Sequence, residues 1–471
     1  MTFGALIFLL WDLFQQGKRP LPRIWLAGVI CVISWLLSTP FLDLNTSHGN
    51  SMLIGDPFAL CMNTIILGGL LLTIFLNDAM LTPQRVNPSI DVDVLLMLAA
   101  IGGMVMVATE NLIVLFIGFE LLSVSVYVLS GIARAERASV EGALKYFILG
   151  AFSSAFLLYG IALVYGATGS VELDTIRSTA QVSDPLLLLG LGLIVFGFAF
   201  KVSLVPFHFW APDVYQGAPT SITAFMAVVV KAAAFGAFFR VMISGFGMLH
   251  GEWQGVLWLL AVFTMTTGNI VALRQSSIKR MLAYSSISHA GYALMGFISL
   301  GEAGGGEAMI FYLLVYSLMT IGAFGVVLVA TAGSDAQYDR DTFQSLSGLG
   351  WTHPFLGIVM TISILSLAGF PPLAGFMGKF YLFRAALSAG FPGLALIAAI
   401  NSVISLYYYL RVIVVMYFSA DESASETSST SRPLFIGPRI ALFACTVLTI
   451  YFGLFSWRYF AAAYYAVNSL S

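Results

Sequence analysis

The chain has 471 residues, 59% of them hydrophobic and 9% charged, with a formal net charge of −2. A soluble domain carries about 25% charged residues, so this composition excludes one and leaves a polytopic membrane protein. Cys31, Cys61 and Cys445 stand apart in apolar runs with no CxxC spacing and no histidine cluster, which points to neither a disulfide framework nor a metal site.

A helix needs roughly twenty apolar residues to cross a bilayer core. Residues 3–14 fall short of that, and Trp11, Asp12 and Gln15 stand where a signal peptide would place small residues, so the stretch is expected to be the second half of a first helix. Spans are then expected at 22–40, 56–76, 91–109, 111–133, 139–166, 185–211, 217–243, 253–274, 278–300, 306–332, 354–389, 391–419 and 438–466. With the first stretch this is an all-α chain of about fourteen transmembrane helices. Polar connections are expected at 167–184, 334–352 and 420–437, the last rich in Ser, Glu and Thr. No GxGxxG turn or phosphate-binding loop is present, so nucleotide chemistry is not carried here, and no nucleic-acid partner is expected.

Basic residues gather in the connections after odd-numbered helices, among them Arg134, Arg137, Arg274, Lys279 and Arg280, while those after even-numbered helices hold little beyond Arg177, Arg240 and Arg384. The positive-inside rule makes the odd connections cytoplasmic and puts both termini on the outer side.

Three of the six lysines, Lys201, Lys231 and Lys379, fall inside apolar spans. A charge there costs about 2.5–3.5 kcal/mol on insertion scales, so each needs a reason to be present. A desolvated amine can exist neutral as well as charged, as a proton carrier must. Glu120 is the one acid deep within a span, roughly 15 Å along its helix from Asn111. Ser123 and Tyr127 follow it at i+3 and i+7 and make one polar stripe. Glu120 reads either as the structural ion partner of a neighbouring lysine or as a carboxylate in a proton path.

Pro206, His208, Pro212 and Asp213 form a proline-broken junction between Lys201 and Lys231. On a continuous helix Lys201 and His208 would share a face. His208 is either a relay or a hydrogen-bonded structural residue of the break. Ser285, His289 and Tyr292 share a face of the 278–300 span, which suits proton passage or plain helix-to-helix hydrogen bonding. The 354–389 run is too long for one span and contains Leu367-Ala-Gly-Phe-Pro-Pro-Leu-Ala-Gly375, a second break, with Lys379 four residues on. Two breaks, each near a lysine, match inverted repeats around a midplane site.

The stretches FIGFELLSVSVYVLSG, EGALKYFILGAFSSAFLLYGIALVYGATGS, VPFHFWAPDVYQGAPTSITAF, KRMLAYSSISHAGY and GFPPLAGFMGKFYLF occur in that order. Together, over about 54–415, they resemble the antiporter-like subunit N (subunit 2) family of proton-pumping NADH:quinone oxidoreductase, respiratory complex I. The resemblance implies two inverted five-helix repeats, at 91–243 and 253–419, with the seventh and twelfth helices broken. It implies that Glu120, Lys201, Lys231, His289 and Lys379 carry proton translocation; His208 stays a relay candidate from its place in the break alone. It also implies that NADH, FMN, iron-sulfur clusters and quinone belong to partner subunits, with no cofactor in this chain. The partners would be other membrane subunits of the complex, in a bacterial inner membrane. The short first helix departs from the family pattern. The alternative from another class is a cation/proton antiporter subunit of the multisubunit sodium type, or a hydrogenase-associated homologue.

Overall fold

The computed structural model describes residues 1–7, 23–38, 52–77, 90–181, 184–301, 304–331, 341–418 and 436–470. A bilayer offers the backbone no water, so apolar runs pair their N–H and C=O groups internally as helices. The first five are α1 (Arg23–Ser38), α2 (Pro57–Asn77), α3 (Ile90–Val107), α4 (Leu112–Ser130) and α5 (Arg137–Thr168). A short α6 (Leu173–Thr179) occupies the 167–184 connection, where only a loop was expected. Then follow α7 (Pro185–Lys201), α8 (Trp210–Gly217), α9 (Thr220–Gly245), α10 (His250–Ala272), α11 (Ile278–Ile298) and α12 (Gly305–Thr331). The second broken span gives α13 (Pro354–Ala368) and α14 (Ala374–Ser388), and the chain closes with α15 (Pro392–Phe418), α16 (Ile436–Leu454) and α17 (Ser456–Asn468).

Side-chain caps fix where several helices begin. Asn111 accepts from the N–H groups of Ile113 and Val114, Asp184 from Leu186, and Ser277 from Arg280. Burial then sorts the helices into layers. The apolar window of α9 is 100% buried within the protein and that of α12 89%, whereas α5, α10, α15 and α16 each bury 39%. The first two therefore form the axis, and the others present apolar faces to lipid. Where α5 crosses α7, a Cβ on Gly160 would meet the Gly190 carbonyl oxygen at 2.8 Å and one on Gly190 would meet that of Gly160 at 2.9 Å. That approach needs glycine on both sides.

Two spans depart from expectation. The 438–466 run is not one helix but α16 and α17, separated at Phe455. Gly453 packs so closely on the second break that a Cβ would lie 2.1 Å from the Pro372 carbonyl oxygen, which pins the end of α16. From there α17 turns back against α2 and α12. In the 185–211 run α7 stops at Lys201, so Lys201 and His208 do not share a helical face as their spacing had implied. Of the 3–14 stretch, residues 3–7 are described and helical. Trp11, Asp12 and Gln15, and residues 334–340 and 420–435 of the polar connections, lie outside the described residues, while the rest of the 334–352 connection forms two short helical turns, Phe343–Leu346 and Leu349–Thr352.

Candidate functional site

All three intramembrane lysines and His289 are buried, at 1%, 2%, 4% and 3% exposure for Lys201, Lys231, Lys379 and His289. Each ammonium meets a serine hydroxyl, and what else surrounds it differs. Lys201, the last residue of α7, donates to the Ser123 hydroxyl at 2.7 Å and to the Tyr146 hydroxyl at 3.4 Å. Its Nζ lies 5.0 Å from the Phe119 ring centroid, 5.6 Å from that of Tyr127 and 5.5 Å from that of Tyr146. The predicted stripe on α4 is thus what receives Lys201, through Ser123 and Tyr127. Glu120 joins that stripe without an ion pair to Lys201 among the described residues, and its Oε1 is buried with no hydrogen-bond partner. The direct structural pair expected from the sequence is replaced by contact through the residue one turn on.

Lys231 sits where a π-helical stretch, Met226–Val230, passes into regular helix within α9. Such bulges frequently mark functional positions because they re-aim a side chain without ending the helix. Its Nζ donates to the backbone oxygen of Ser286 at 2.7 Å and to the Ser286 hydroxyl at 2.6 Å, and the Tyr316 hydroxyl donates to the same Ser286 oxygen at 2.8 Å. On the preceding residue of α11 a second set begins. The Ser285 and Tyr409 hydroxyls share a hydrogen bond, Tyr409 bonds His289 Nε2 at 3.0 Å, and His289 Nδ1 bonds the Tyr312 hydroxyl. A neutral imidazole donates from one nitrogen and accepts at the other, so this row can reverse its polarity as a unit. The His289 and Tyr316 rings, 5.1 Å apart, bring the two sets together.

Lys379 lies beyond them. Its Nζ donates to the carbonyl oxygens of Leu367 and Ala368, each at 3.1 Å, and to the Ser402 hydroxyl at 2.8 Å. The carbonyls are those freed where α13 ends, the negative pole of that helix. The Tyr292 ring lies 5.1 Å from Nζ and packs at 6.0 Å from the His289 ring. Lys231, His289 and Lys379 therefore belong to one region, joined by serine and tyrosine side chains, while Lys201 belongs to a pocket of its own on α4 and α5.

His208 lies in the first break, buried, with its ring beside Phe209 and its Nδ1 without a hydrogen-bond partner among the described residues. Ser286, Tyr312, Tyr316, Tyr409 and Ser402 were not legible as site residues. Tyrosines on an apolar run look like core, although Tyr312 and Tyr316 do stand one helical turn apart. Arg240 is the clearest reversal. Assigned by sequence to an outer connection, it is fully buried, with Nη2 at 2.7 Å from Asp56, Nη1 at 3.6 Å from Glu110 and Nε donating to the Val107 carbonyl at 2.8 Å. It anchors the far end of α9 to the ends of three other segments.

A polytopic helical protein with two broken helices and lysines at each break is an antiporter-type membrane subunit. Residues 109–405 match the family model described as NADH:quinone oxidoreductase/Mrp antiporter, transmembrane. The NADH-quinone oxidoreductase subunit N of Trichlorobacter lovleyi is 42% identical over 91% of this chain and 88% of its own. A chain of respiratory complex I from Thermus thermophilus superposes with a TM-score of 0.80 at 33% identity, covering 98% of each. A chain of the Mrp complex from Dietzia gives a TM-score of 0.80 at 21% identity, over 100% of this chain and 98% of that one, a likeness of fold alone. The chain belongs to the subunit N family of the NADH-quinone oxidoreductases.

Proposed function

We propose that this chain carries protons across the membrane as a subunit of a proton-translocating NADH-quinone oxidoreductase, driven by quinone reduction in partner subunits that hold NADH, FMN and the iron-sulfur clusters. The observation that supports this reading is the clustering of titratable and hydroxyl groups from Lys231 and Ser286 through His289 to Lys379, hydrogen-bonded in separate sets that ring contacts of Tyr316 and Tyr292 bring together. An amine in that setting donates while charged and accepts once neutral, and serine, tyrosine and histidine between such amines can do both. Lys201 and Glu120 form the input pair, in which a change at the carboxylate biases the nearby amine. Residues 91–243 and 253–419 are the two inverted repeats, one broken helix in each. The identity to named subunit N relatives supports this over a sodium-type antiporter.

The decisive substitution is Lys231→Arg, because a guanidinium keeps the charge and does not deprotonate in proteins. We expect the assembled complex to keep its subunits and lose proton pumping in sealed vesicles. Normal pumping by that variant would remove Lys231 from the relay. We place the odd connections on the cytoplasmic side of a bacterial inner membrane and both termini outside. A cysteine replacing Arg134 should then resist an impermeant thiol reagent added from outside, and ready labelling would invert the orientation.

A further inference from the structure

Helix α15 packs against the rest of the chain along part of its circumference only. Leu396, Ile400, Val403, Tyr407, Leu410 and Val414 recur every three or four residues and are exposed, so that stripe looks outward. Lipid is as apolar as the side chains it meets, and apolar contact alone therefore fixes the rotation of such a helix weakly. Yet two side chains of α15 have to be aimed closely: Ser402 accepts from Lys379 at 2.8 Å, and Tyr409, two turns on, bonds His289 at 3.0 Å. A rotation of about 20° moves a side-chain tip about 5–6 Å from the helix axis by roughly 2 Å, which breaks both bonds.

The residue just before each of these belongs to a second set. Asn401 and Tyr408 form a stripe about 100° round the helix from Ser402 and Tyr409, and both reach Asn269 of α10. Asn269 is fully buried, and Asn401 and Tyr408 nearly so. The Asn269 amide donates to Asn401 Oδ1 at 3.1 Å and accepts from the Tyr408 hydroxyl at 2.8 Å, so one planar group grips α15 at two levels two turns apart. The polarity of these bonds is fixed. Asn401 Nδ2 faces the Ile397 carbonyl at 3.0 Å, which can only accept; Asn401 Oδ1 must then accept from Asn269 Nδ2, and the remaining Asn269 oxygen must accept from Tyr408. Unlike the His289 row, this set cannot reverse, so it holds a position and relays nothing. What it holds against is rigid: α10 lies so closely on α11, the helix of Ser285, Ser286 and His289, that a Cβ on Gly268 would lie 2.7 Å from the Ser288 nitrogen and one on Gly291 2.8 Å from the Met265 nitrogen.

We infer that Asn269 is a positioning residue of the relay: by gripping Asn401 and Tyr408 it fixes the rotation of α15, and so holds Ser402 on Lys379 and Tyr409 on His289 together. This rests on the reading of Lys379 and His289 as proton carriers. Buried polar groups used in this way set register at some cost in stability, because apolar side chains of similar shape fill the same space without desolvated amides.

The test uses the assembled complex in sealed inside-out vesicles energised with NADH, with melting temperature and protons pumped per electron measured on the same preparations. Asn269→Leu alone leaves Asn401 and Tyr408 buried without their partner, and both quantities should fall. Adding Asn401→Leu and Tyr408→Phe removes the stranded groups, so the triple variant should regain the wild-type melting temperature while pumping stays at least several-fold down. A merely structural role makes pumping return with stability, and that result overturns the inference. If the triple variant fails to assemble or to regain its melting temperature, Tyr408→Phe decides. It removes one oxygen and with it the second point of grip, and protons per electron should fall roughly two-fold or more, as misplaced reacting groups demand; an unchanged ratio overturns the inference. Lys379→Met separates this from the relay itself. Loss there with full pumping in the triple variant overturns the positioning role and leaves the relay standing, whereas full pumping in Lys379→Met overturns both.

Discussion

At the first break the N–H of Leu204 donates to the Ala199 carbonyl and that of Ser203 to Phe200; at the second, Phe370 donates to Leu365 and Gly369 to Ser366. Both helices thus end in the same paired closure, with one residue in the left-handed region, Ser203 at φ 62° and Gly369 at φ 87°. The difference lies in what the lysine does. At the first break the Trp210 indole adds a second donor, at 3.0 Å, to the Phe200 oxygen already paired with Ser203, and Lys201 reaches across to Ser123. At the second the lysine itself takes the Leu367 and Ala368 oxygens. One ammonium is held by hydroxyls of neighbouring helices; the other is bound into the break. On the proposed relay, Lys201 would respond to a change at Glu120 and Lys379 would hold a proton against a fixed dipole.

Gly369→Ala should break the second arrangement with the largest effect. A Cβ there would sit 3.1 Å from Lys379 Cδ and 3.4 Å from Nζ, and the backbone would be forced to hold an L-residue at positive φ. Strain of that kind costs about 1–3 kcal/mol, and the lysine must also withdraw from its carbonyls. We expect a lower melting temperature of the assembled complex together with a loss of pumping. Retention of both would mean that Lys379 does not depend on the break.

Glu120→Gln addresses the first arrangement and should affect function more than stability. With no ion pair to Lys201, the substitution leaves no buried cation newly exposed to its own desolvation, so assembly should stay close to normal. Coupled pumping should fall, since the charge that biases Lys201 is gone. Failure to assemble with normal pumping in the residual complex would restore the purely structural reading of Glu120.

The two regions also differ in how far they could be read from sequence. Lysines, prolines and the lone deep carboxylate stand out against lipid because each is costly there, so Lys201, Lys231, Lys379 and Glu120, and both breaks, were legible. The Ser123 and Tyr127 stripe was legible too, because helical spacing puts i, i+3 and i+7 on one face. The hydroxyls of Tyr312, Tyr316 and Tyr409 were not, since a phenol in an apolar run costs little and its partner lies on another helix at a register that only packing sets. Arg240 misled for a related reason: nothing local signals that Asp56 and Glu110 converge on it from far along the chain. The continuous face from Lys201 to His208 failed because a spacing rule cannot see where a helix stops.

Ser203→Gly gives the smallest expected effect and the finest test of the comparison, since it gives the first break the residue type of the second. A non-glycine residue in the left-handed region costs roughly 1–2 kcal/mol, and glycine there adds back roughly 0.5–1 kcal/mol through the unfolded chain. The Ser203 hydroxyl is buried with no hydrogen-bond partner among the described residues, so its removal also lifts part of a desolvation penalty of about 1–3 kcal/mol. The balance favours glycine, and the assembled complex should melt slightly higher. The functional expectation runs the other way, because a stiffer left-handed residue two positions after Lys201 restricts the end of α7, from which the amine reaches Ser123. With glycine that end loosens, and we expect a modest drop in protons pumped per electron despite the gain in melting temperature. A variant that melts higher and pumps fully would show that the strain at Ser203 does nothing for Lys201.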